Sequence, residues 1–324
     1  MLDRLLAVLA DGAFHSGSEL GRTLGISRSA VWKHMQRLQD LELELYSVKG
    51  RGYRLPGGLD LIDAEALATQ LCALGVADRL QTVEVATEID STNARALQAM
   101  RSGVRTGLYV AEYQHAGRGR RGREWLSPLA SSLCFTLAWR FNSGVAALEG
   151  LSLAVGLALQ QALARMGLEG VGLKWPNDLL VGEAKLAGIL IELSGDAAGE
   201  CQVAIGVGLN VALPTDLAEQ LDQPCTDLRS LGFEGQRTVL LATLVAELVK
   251  VLHRFESGGF AQLRADWEAA NVFQGRSVRL VSGVHRYEGV CLGVTDQGGL
   301  RLETDKGHEV FHGGEVSVRA HETA

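Results

Sequence analysis

Paired cysteines are absent from this 324-residue chain, which limits both its chemistry and its surroundings. Disulfide frameworks use even sets of cysteines, and zinc sites use closely spaced ones. Here the number is odd, no Cys-x-x-Cys pair occurs, and the residues are scattered: Cys72, Cys134, Cys201, Cys225 and Cys291. The pattern argues against a disulfide framework and a zinc site and favours a reducing compartment.

Long apolar segments are absent as well. The longest apolar run, residues 151–159, is about half the length that a membrane-spanning helix needs. The first apolar stretch is short and runs into Asp11, so no secretory signal is expected. Hydrophobic residues make up 47% and charged residues 21%, which is ordinary for a soluble globular protein of two or three domains. We therefore expect a cytoplasmic protein with no membrane partner.

Negative charge dominates the chain but not its beginning. The formal net charge is −7, whereas residues 1–55 carry eight Lys/Arg and six Asp/Glu, a net +2 that leaves −9 for the remainder. Such an asymmetry suggests that one end of the chain meets a polyanion.

The first 55 residues have the pattern of a winged helix-turn-helix. Leucines at helical spacing are followed by a short helical segment that Gly25 ends, and Ser27 can cap a second helix. Alternating residues 43–48, a basic turn at 49–52 and a returning strand then predict the wing. The alternative is an ordinary helical domain with a solvated basic face. We favour DNA binding, with these candidate contacts: Ser27, Arg28, Ser29, Trp32, Lys33, Lys49 and Arg51.

Residues 117–123, here named the arginine loop, contain four arginines and three glycines. Adjacent guanidinium groups repel one another unless an anion lies among them, so we expect a loop that orders around an anion. The glycines also match the Gly-x-Gly-x-x-Gly dinucleotide fingerprint, but no helix follows, which excludes that fold. A nucleic-acid-binding arm is the competing interpretation. The position between two predicted strands favours a phosphorylated small molecule.

Small neutral polar groups precede the arginine loop. Residues 90–93, Asp-Ser-Thr-Asn, open a predicted helix, and Gln114 ends a predicted strand. The hydroxyl and amide groups either cap the helix or hold the polar, uncharged head of a ligand.

A second set of polar residues follows residue 173. The turn 174–178, Lys-Trp-Pro-Asn-Asp, includes Asp178, a candidate Mg²⁺ ligand. Lys185 opens an otherwise apolar strand, so it lies at a sheet edge or faces an anion, and we favour the anion. Gly188 indicates that something approaches the backbone closely. On a regular strand Lys185 and Gly188 would point to opposite faces. Asn210 ends a later strand, where it either reaches a ligand or simply terminates the strand.

Five motifs in order resemble the bifunctional biotin protein ligases that also act as biotin operon repressors. They are the segments 90–93, 114–122, 174–178, 185–189 and 206–210, and the winged helix and the motif 313–319 extend the likeness over nearly the whole chain. The resemblance implies an α+β fold: a winged helix-turn-helix domain (1–58), a class II synthetase-like mixed β-sheet with helices (59–272) and an SH3-like β-barrel (273–324). Short alternating strands after residue 274 agree with the last of these.

The resemblance also implies an activity. Biotin and MgATP would give biotinyl-5′-adenylate and pyrophosphate, and the biotinyl group would pass to one lysine of the biotin carboxyl carrier protein of acetyl-CoA carboxylase. With adenylate bound, the protein would dimerise, bind operator DNA and repress biotin synthesis genes.

Site residues follow from the resemblance by motif. Biotin would contact Ser91, Thr92, Asn93, Gln114, Arg118, Gly119, Arg120, Lys185 and Gly188. The nucleotide would contact Arg118, Arg120, Arg121, Trp125, Lys174, Asn177 and Asn210, with Asp178 near Mg²⁺. Lys185, Arg118 and Arg120 would be catalytic, and Trp125 would cover the adenylate. His115 receives no role.

Two alternatives remain at this stage. A transcription factor that senses a small acid without chemistry would also have a winged helix, but one carboxylate does not require this many cations. A lipoate-type ligase on a related fold is the second alternative.

Overall fold

The computed structural model describes residues 1–41, 43–195, 199–221, 223–282, 284–312 and 316–320. Gly313, Gly314 and Glu315, which begin the C-terminal motif, lie outside the described residues. The predicted α+β fold class is confirmed, and its three parts follow one another along the chain.

The N-terminal part is a winged helix, as predicted. Its elements are α1 (Leu2–Leu9), α2 (Gly17–Leu24), α3 (Arg28–Asp40), β1 (Tyr46–Val48) and β2 (Gly52–Arg54). Ser16 and Glu19 form a capping box at the start of α2, and left-handed Gly25 ends that helix. The wing lies against the helices at Gly52, where a Cβ would be 2.0 Å from the His15 carbonyl oxygen. Only glycine fits this approach, at φ +104°.

The central part is a seven-stranded mixed sheet. Its elements are α4 (Ala64–Ala73), β3 (Thr82–Ile89), α5 (Thr92–Arg101), β4 (Gly107–Gln114), β5 (Ser132–Phe141), α6 (Leu151–Arg165), β6 (Val171–Lys174), β7 (Asp178–Val181), β8 (Ala184–Gly195), β9 (Cys201–Asn210), α7 (Thr215–Gln220), α8 (Arg237–Gly258) and α9 (Arg264–Ala270). The strand order is β3-β4-β5-β9-β8-β7-β6. Strands β3 and β4 are parallel, and the other pairs are antiparallel.

Helices cover both faces of this sheet. Helix α5 lies on β4, β5 and β9 through small residues such as Ala96, Ala138 and Ala204. Helices α4, α6 and α8 form the other layer and supply much of the main core. The helical stretch Val145–Arg165 is long and apolar enough to cross a membrane by length and composition, but 56% of its apolar window is buried inside the protein. We interpret α6 as a core helix.

The C-terminal strands share the main hydrophobic core of the protein. Strands β10 (Ser277–Ser282), β11 (His285–Val294), β12 (Leu300–Thr304), β13 (Gly307–Phe311) and β14 (Val316–Ala320) form an antiparallel sheet in the order β13-β12-β11-β10-β14. Buried residues of this sheet, including Val278, Leu280 and Leu302, belong to the same hydrophobic cluster as the central helices. The two parts therefore stabilise each other.

A buried ion pair joins four segments of the central part. Arg237, at the start of α8, donates to Glu112 of β4 at 2.7 Å, and both side chains are at most 4% exposed. The same guanidinium donates to the carbonyl oxygens of Asp60 and Ser132. The other Glu112 oxygen accepts from the backbone N–H of Ile62. The segment just before α4 (residues 60–62), β4, β5 and α8 are thereby fixed together.

We expect Arg237→Ala to destabilise the central part by roughly 3–5 kcal/mol, because Glu112 would remain buried without its counter-charge. The measurement is the urea-unfolding free energy of the main transition. Arg279→Ala removes an exposed ion pair with Glu288 and is the control, expected to change stability by less than about 1 kcal/mol. Similar losses of unfolding free energy in the two variants would contradict the conclusion that the Arg237–Glu112 pair stabilises the central part.

Candidate functional site

One pocket brings together every small-molecule contact that the sequence predicts. It lies where the N-terminus of α5 and the arginine loop meet the face formed by β8 and β9. Its lining includes Ser91, Thr92, Asn93, Gln114, Arg118, Gly119, Arg120, Arg121, Trp125, Lys174, Asn177, Asp178, Lys185, Gly188 and Asn210. Motifs far apart in the sequence thus form one site.

The neutral end of the pocket is built around the start of α5. Ser91 is the N-cap residue but makes no side-chain capping hydrogen bond. The Oε1 atom of Gln114 accepts instead from the backbone N–H of Thr92 at 2.8 Å and from its hydroxyl at 3.2 Å. The helix is therefore capped from the neighbouring strand, and the Ser91 hydroxyl is not used for capping. This weakens the purely structural interpretation of the Ser91 side chain.

The amide of Asn93 is held entirely by the protein. Its Oδ1 accepts from the Thr136 hydroxyl at 2.6 Å, and its Nδ2 donates to Glu192 at 2.7 Å and to the Leu190 carbonyl oxygen at 3.3 Å. Gly206 makes room for it, because a Cβ there would be 2.2 Å from Asn93 Oδ1. Asn93 consequently shapes the pocket wall. Sequence reasoning missed Thr136 and Glu192, because neither lies in a recognisable motif.

Trp125 occupies the floor of the pocket, where two glycines leave space for its ring. A Cβ at Gly208 would be 2.3 Å from Trp125 Cε2, and one at Gly188 would be 3.1 Å from Cζ3. The indole Nε1 is buried and has no hydrogen-bond partner among the described residues. The indole ring therefore packs against the backbone of β8 and β9 at Gly188 and Gly208.

A β-bulge corrects the expectation that Lys185 and Gly188 point to opposite faces. Leu179 is opposite Ala187, but Leu180 is opposite Lys185, so Leu186 is an extra residue in β8. An extra residue reverses the side-chain alternation. As a result, a Cβ at Gly188 would be only 3.2 Å from Lys185 Nζ.

Lys185 has a carboxylate neighbour as well. Its Nζ lies 2.8 Å from Oδ1 of Asp178 on the adjacent strand, and both side chains are less than a fifth exposed. That Oδ1 is buried, so its ion pair with Lys185 is shielded from water. The backbone of Lys185 is fixed by hydrogen bonds with Pro224 and Thr226. The lysine is thus held at the pocket wall.

The turn 174–178 is anchored on two sides. The Trp175 indole is buried and donates to the Gly298 carbonyl oxygen of the C-terminal sheet at 2.9 Å. Asn177 Nδ2 donates to the Ile189 carbonyl oxygen, while its Oδ1 accepts from Arg120 at 3.0 Å. Burial lowers the pKa of Arg120, and nearby Asp178 opposes this shift. Asn177 therefore orients an arginine that has been partly removed from water.

Asn210 shapes the pocket rim. Its Nδ2 donates to the Thr226 carbonyl oxygen at 3.1 Å, which fixes the segment that carries Cys225. Cys225 and Gln223 line the same side of the pocket.

The arginine loop has protein contacts of its own, whereas the sequence suggested that it orders around an anion. Arg118 lies 3.2 Å from Glu192, and the backbone N–H of Gly119 donates to the Arg123 carbonyl oxygen. Arg121 has a left-handed φ of 60°, which places a strained residue at the pocket mouth. Arg121 and Arg123 are exposed.

The predicted DNA-binding face is exposed on the winged helix. Trp32 is 54% exposed, and the other candidates at positions 28, 29, 33, 49 and 51 are exposed too. Ser27 has a structural role as well, because its hydroxyl accepts from the Ala30 N–H and caps α3. The Arg51 guanidinium stacks 4.1 Å above the Phe14 ring, which positions the wing.

Comparisons with known proteins agree with this architecture. Residues 85–210 match the model of the Biotin/lipoate A/B protein ligase family, residues 2–54 match an HTH domain, and residues 273–319 match the Biotin protein ligase C terminal domain. The chain is 40% identical over 319 residues to the bifunctional ligase/repressor BirA of Escherichia coli (strain K12), covering 98% of this chain and 97% of that protein.

Other relatives carry similar names. The biotin--[acetyl-CoA-carboxylase] ligase of Paracoccus denitrificans is 35% identical over 233 residues, covering 70% of this chain and 96% of that protein. Among solved structures, the biotin protein ligase from Aquifex aeolicus in complex with biotin and ATP matches with a TM-score of 0.64 and 27% identity. That match covers 75% of this chain and 100% of the other.

We expect Glu192→Gln to expose the arginine loop to trypsin, because the substitution removes the ionic partner of Arg118. A partly exposed ion pair contributes up to about 1 kcal/mol, so cleavage after the loop arginines should become about two- to five-fold faster. Mass spectrometry of timed digests measures this. Glu288→Gln, in an ion pair outside the pocket, should leave loop cleavage unchanged. Equal rates for Glu192→Gln and the wild type would mean that Glu192 does not anchor the loop.

Proposed function

Because this chain belongs to the family of bifunctional biotin protein ligases, we propose that it activates biotin with MgATP and transfers biotin to a lysine of a carrier protein. One observation carries the proposal: a single pocket joins a neutral polar end to a cluster of cations. A ligand with an uncharged head group and a carboxylate to be activated needs both ends.

The first reaction joins two anions. A biotin carboxylate oxygen attacks the α-phosphorus of ATP, the bond to the bridging oxygen of the β-phosphate breaks, and pyrophosphate leaves with biotinyl-5′-adenylate formed. In the second reaction a neutral lysine amine of the carrier attacks the biotinyl carbonyl carbon, and AMP leaves as the carbon–oxygen bond breaks. The enzyme is therefore an acid–amino-acid ligase that forms AMP and diphosphate. Fixed cations in a site shielded from water lower the barrier to both steps.

Three cationic residues act on the reacting groups in this proposal. Lys185 lies between the biotin carboxylate and the α-phosphate, where it stabilises charge as the anhydride forms and breaks. Its ion pair with Asp178 and the β-bulge beneath it support this placement. Arg118 and Arg120 hold the two ligands together, and the burial of Arg120 strengthens its interaction with a phosphate.

The remaining lining residues divide between the two ligands. The ureido ring of biotin binds at the start of α5, at residues 91–93 with Gln114, and Gly119 and Gly188 allow close approach. The nucleotide lies towards Arg121, Lys174, Asn177 and Asn210. Trp125 stacks against the adenylate from the floor rather than covering it from outside, because it lies on Gly188 and Gly208.

Asp178 is the carboxylate suited to Mg²⁺. Among the described residues no group of three His, Cys, Asp or Glu side chains could hold a metal ion. Mg²⁺ commonly takes one or two carboxylates and completes its octahedron with phosphates and water, so Asp178 with ATP satisfies it. The Asp178 carboxylate lines the pocket, which supports this role. Bound Mg²⁺ would neutralise phosphate charge.

Further parts of the proposal concern partners. The carrier is the biotin carboxyl carrier protein of acetyl-CoA carboxylase, and the winged helix binds operator DNA when the adenylate-bound chain forms a homodimer in the cytoplasm. The division at residues 1–58, 59–272 and 273–324 stays a prediction. A lipoate-type ligase is the second candidate, since the family model includes lipoate ligases. Adding lipoate in competition with biotin separates the two.

We expect Lys185→Ala to lower the rate of biotin-dependent ATP–pyrophosphate exchange by about 10²–10³-fold, because a donor aimed at developing charge is lost. Exchange of labelled pyrophosphate into ATP by the pure protein measures this. Lys250→Ala, at an exposed lysine paired with Glu247, is the control and should retain full activity. An unchanged exchange rate in Lys185→Ala would contradict the proposed role of Lys185 in stabilising charge. Absence of exchange in the wild type would contradict the proposed ligase activity.

We expect biotinyl-5′-adenylate to tighten binding to a palindromic operator, because a two-fold dimer matches a palindrome. The measurements are DNA affinity and sedimentation, each with and without adenylate. Equal DNA affinity in both conditions would mean that no switch exists, since a ligand must discriminate between two states to shift them.

A further inference from the structure

A carboxylate on β3 links the DNA-binding helix to the pocket. Glu88 accepts from the guanidinium of Arg37 on α3, with contacts from Nη2 at 2.9 and 3.1 Å and from Nε at 3.3 Å. The imidazole Nε2 of His115 lies 3.0 Å from the same carboxylate. Three segments far apart in the sequence therefore meet at Glu88, whose side chain is only 15% exposed. We name these three residues the latch.

The latch is directly attached to the neutral end of the pocket. His115 follows Gln114, and Glu88 is three residues before Ser91. The backbone N–H of His115 donates to the Ile89 carbonyl oxygen at 2.9 Å, so the ends of β3 and β4 are held together. A shift at the ligand-binding ends of these strands must therefore move the latch carboxylate.

Both ends of the segment that contains the arginine loop also contact the N-terminal part. Leu129 is 2% exposed and belongs to the hydrophobic cluster of the winged helix, and Tyr113 packs against that cluster. The Tyr113 ring lies edge-on to His115 at 5.0 Å. The winged helix thus packs against Tyr113 and Leu129, which lie on either side of the arginine loop. A change in the loop therefore reaches the winged helix through these apolar contacts as well as through the latch.

Arg37 is also positioned to contact DNA, and that contact would compete with its ion pair to Glu88. It follows Lys33 by four positions on α3, so the two side chains project from the same face of the helix. A guanidinium at this position is suited to a DNA phosphate. The Glu88 carboxylate already holds it, and its hydrogen bond to Glu88 raises the pKa of Arg37. One guanidinium group cannot serve both partners equally well.

We propose that the latch restrains the DNA-binding helix and that adenylate binding opens it, which releases Arg37 to a DNA phosphate. This inference rests on the proposed ligase-repressor function and identifies Glu88 and His115 as positioning residues that act through Arg37. Disruption of the latch should then mimic part of the effect of adenylate.

The test compares Glu88→Gln, Arg37→Met and the double variant with the wild type. Glu84→Gln is a matched control, because Glu84 lies on the same strand at an even spacing but forms its ion pair with Arg95 inside the central part. The DNA probe is a duplex enriched from a random pool by the wild-type chain with biotinyl-5′-adenylate. Affinities are measured over a series of salt concentrations, with and without adenylate.

Without adenylate, Glu88→Gln should bind the duplex about five- to ten-fold more tightly than the wild type, at the lower end of the usual range of coupling between two sites. The slope of log affinity against log salt should steepen by about one phosphate contact. The double variant should lose that extra contact, and Glu84→Gln should behave like the wild type. Unchanged or weaker binding by Glu88→Gln would overturn the inference.

Titration calorimetry with adenylate alone provides a test without DNA. Opening the latch costs free energy in the wild type, so Glu88→Gln and Arg37→Met should each bind adenylate more tightly than the wild type does. The adenylate affinity of the double variant should be no higher than that of either single variant, because both substitutions break the same contact. Unchanged adenylate affinity would overturn the latch even if the chain binds no DNA. Pyrophosphate exchange should remain normal in Glu88→Gln, since Glu88 does not line the pocket. Absence of exchange in the wild type would instead indicate failure of the proposed function.

Discussion

The pocket depends on a region of the sheet that lacks side chains. Gly188, Gly206 and Gly208 lie side by side on β8 and β9, and neighbouring side chains occupy the space that each glycine leaves. Trp125 fills two of these volumes and Asn93 fills the third. Because protein interiors are close-packed, a methyl group at any of these glycines would displace a pocket wall. The shape of the site therefore depends on the absence of side chains at these three strand positions.

Much of this protein is predictable from local patterns. Helix and strand positions follow from periodicity and caps, and the motif order places all the predicted small-molecule contacts in one pocket. What local patterns cannot reveal is register: one bulge residue, Leu186, reverses the expected relation between Lys185 and Gly188. Pairs such as Arg118 with Glu192 and Arg37 with Glu88 join segments separated by more than fifty residues, and no spacing rule specifies them.

Charge balance explains how several cations lie close together in the pocket. Lys185 is opposed by Asp178, and Arg118 by Glu192, so both of these cations have an internal carboxylate nearby. A ligand anion must compete with these carboxylates, which favours a ligand that brings more than one negative group. This competition is a physical basis for preferring a carboxylate and a phosphate together over a simple acid.

The shared core between the C-terminal sheet and the central helices has a consequence for how the chain can be shortened or fused. Gly298 accepts the hydrogen bond of Trp175, so the stiffness of the turn 174–178 depends on residues more than a hundred positions later. During synthesis, the turn 174–178 gains this hydrogen bond only after residue 298 has been added to the chain. Removal of the C-terminal sheet would therefore leave the buried Trp175 indole without this acceptor and would expose apolar residues of the shared core.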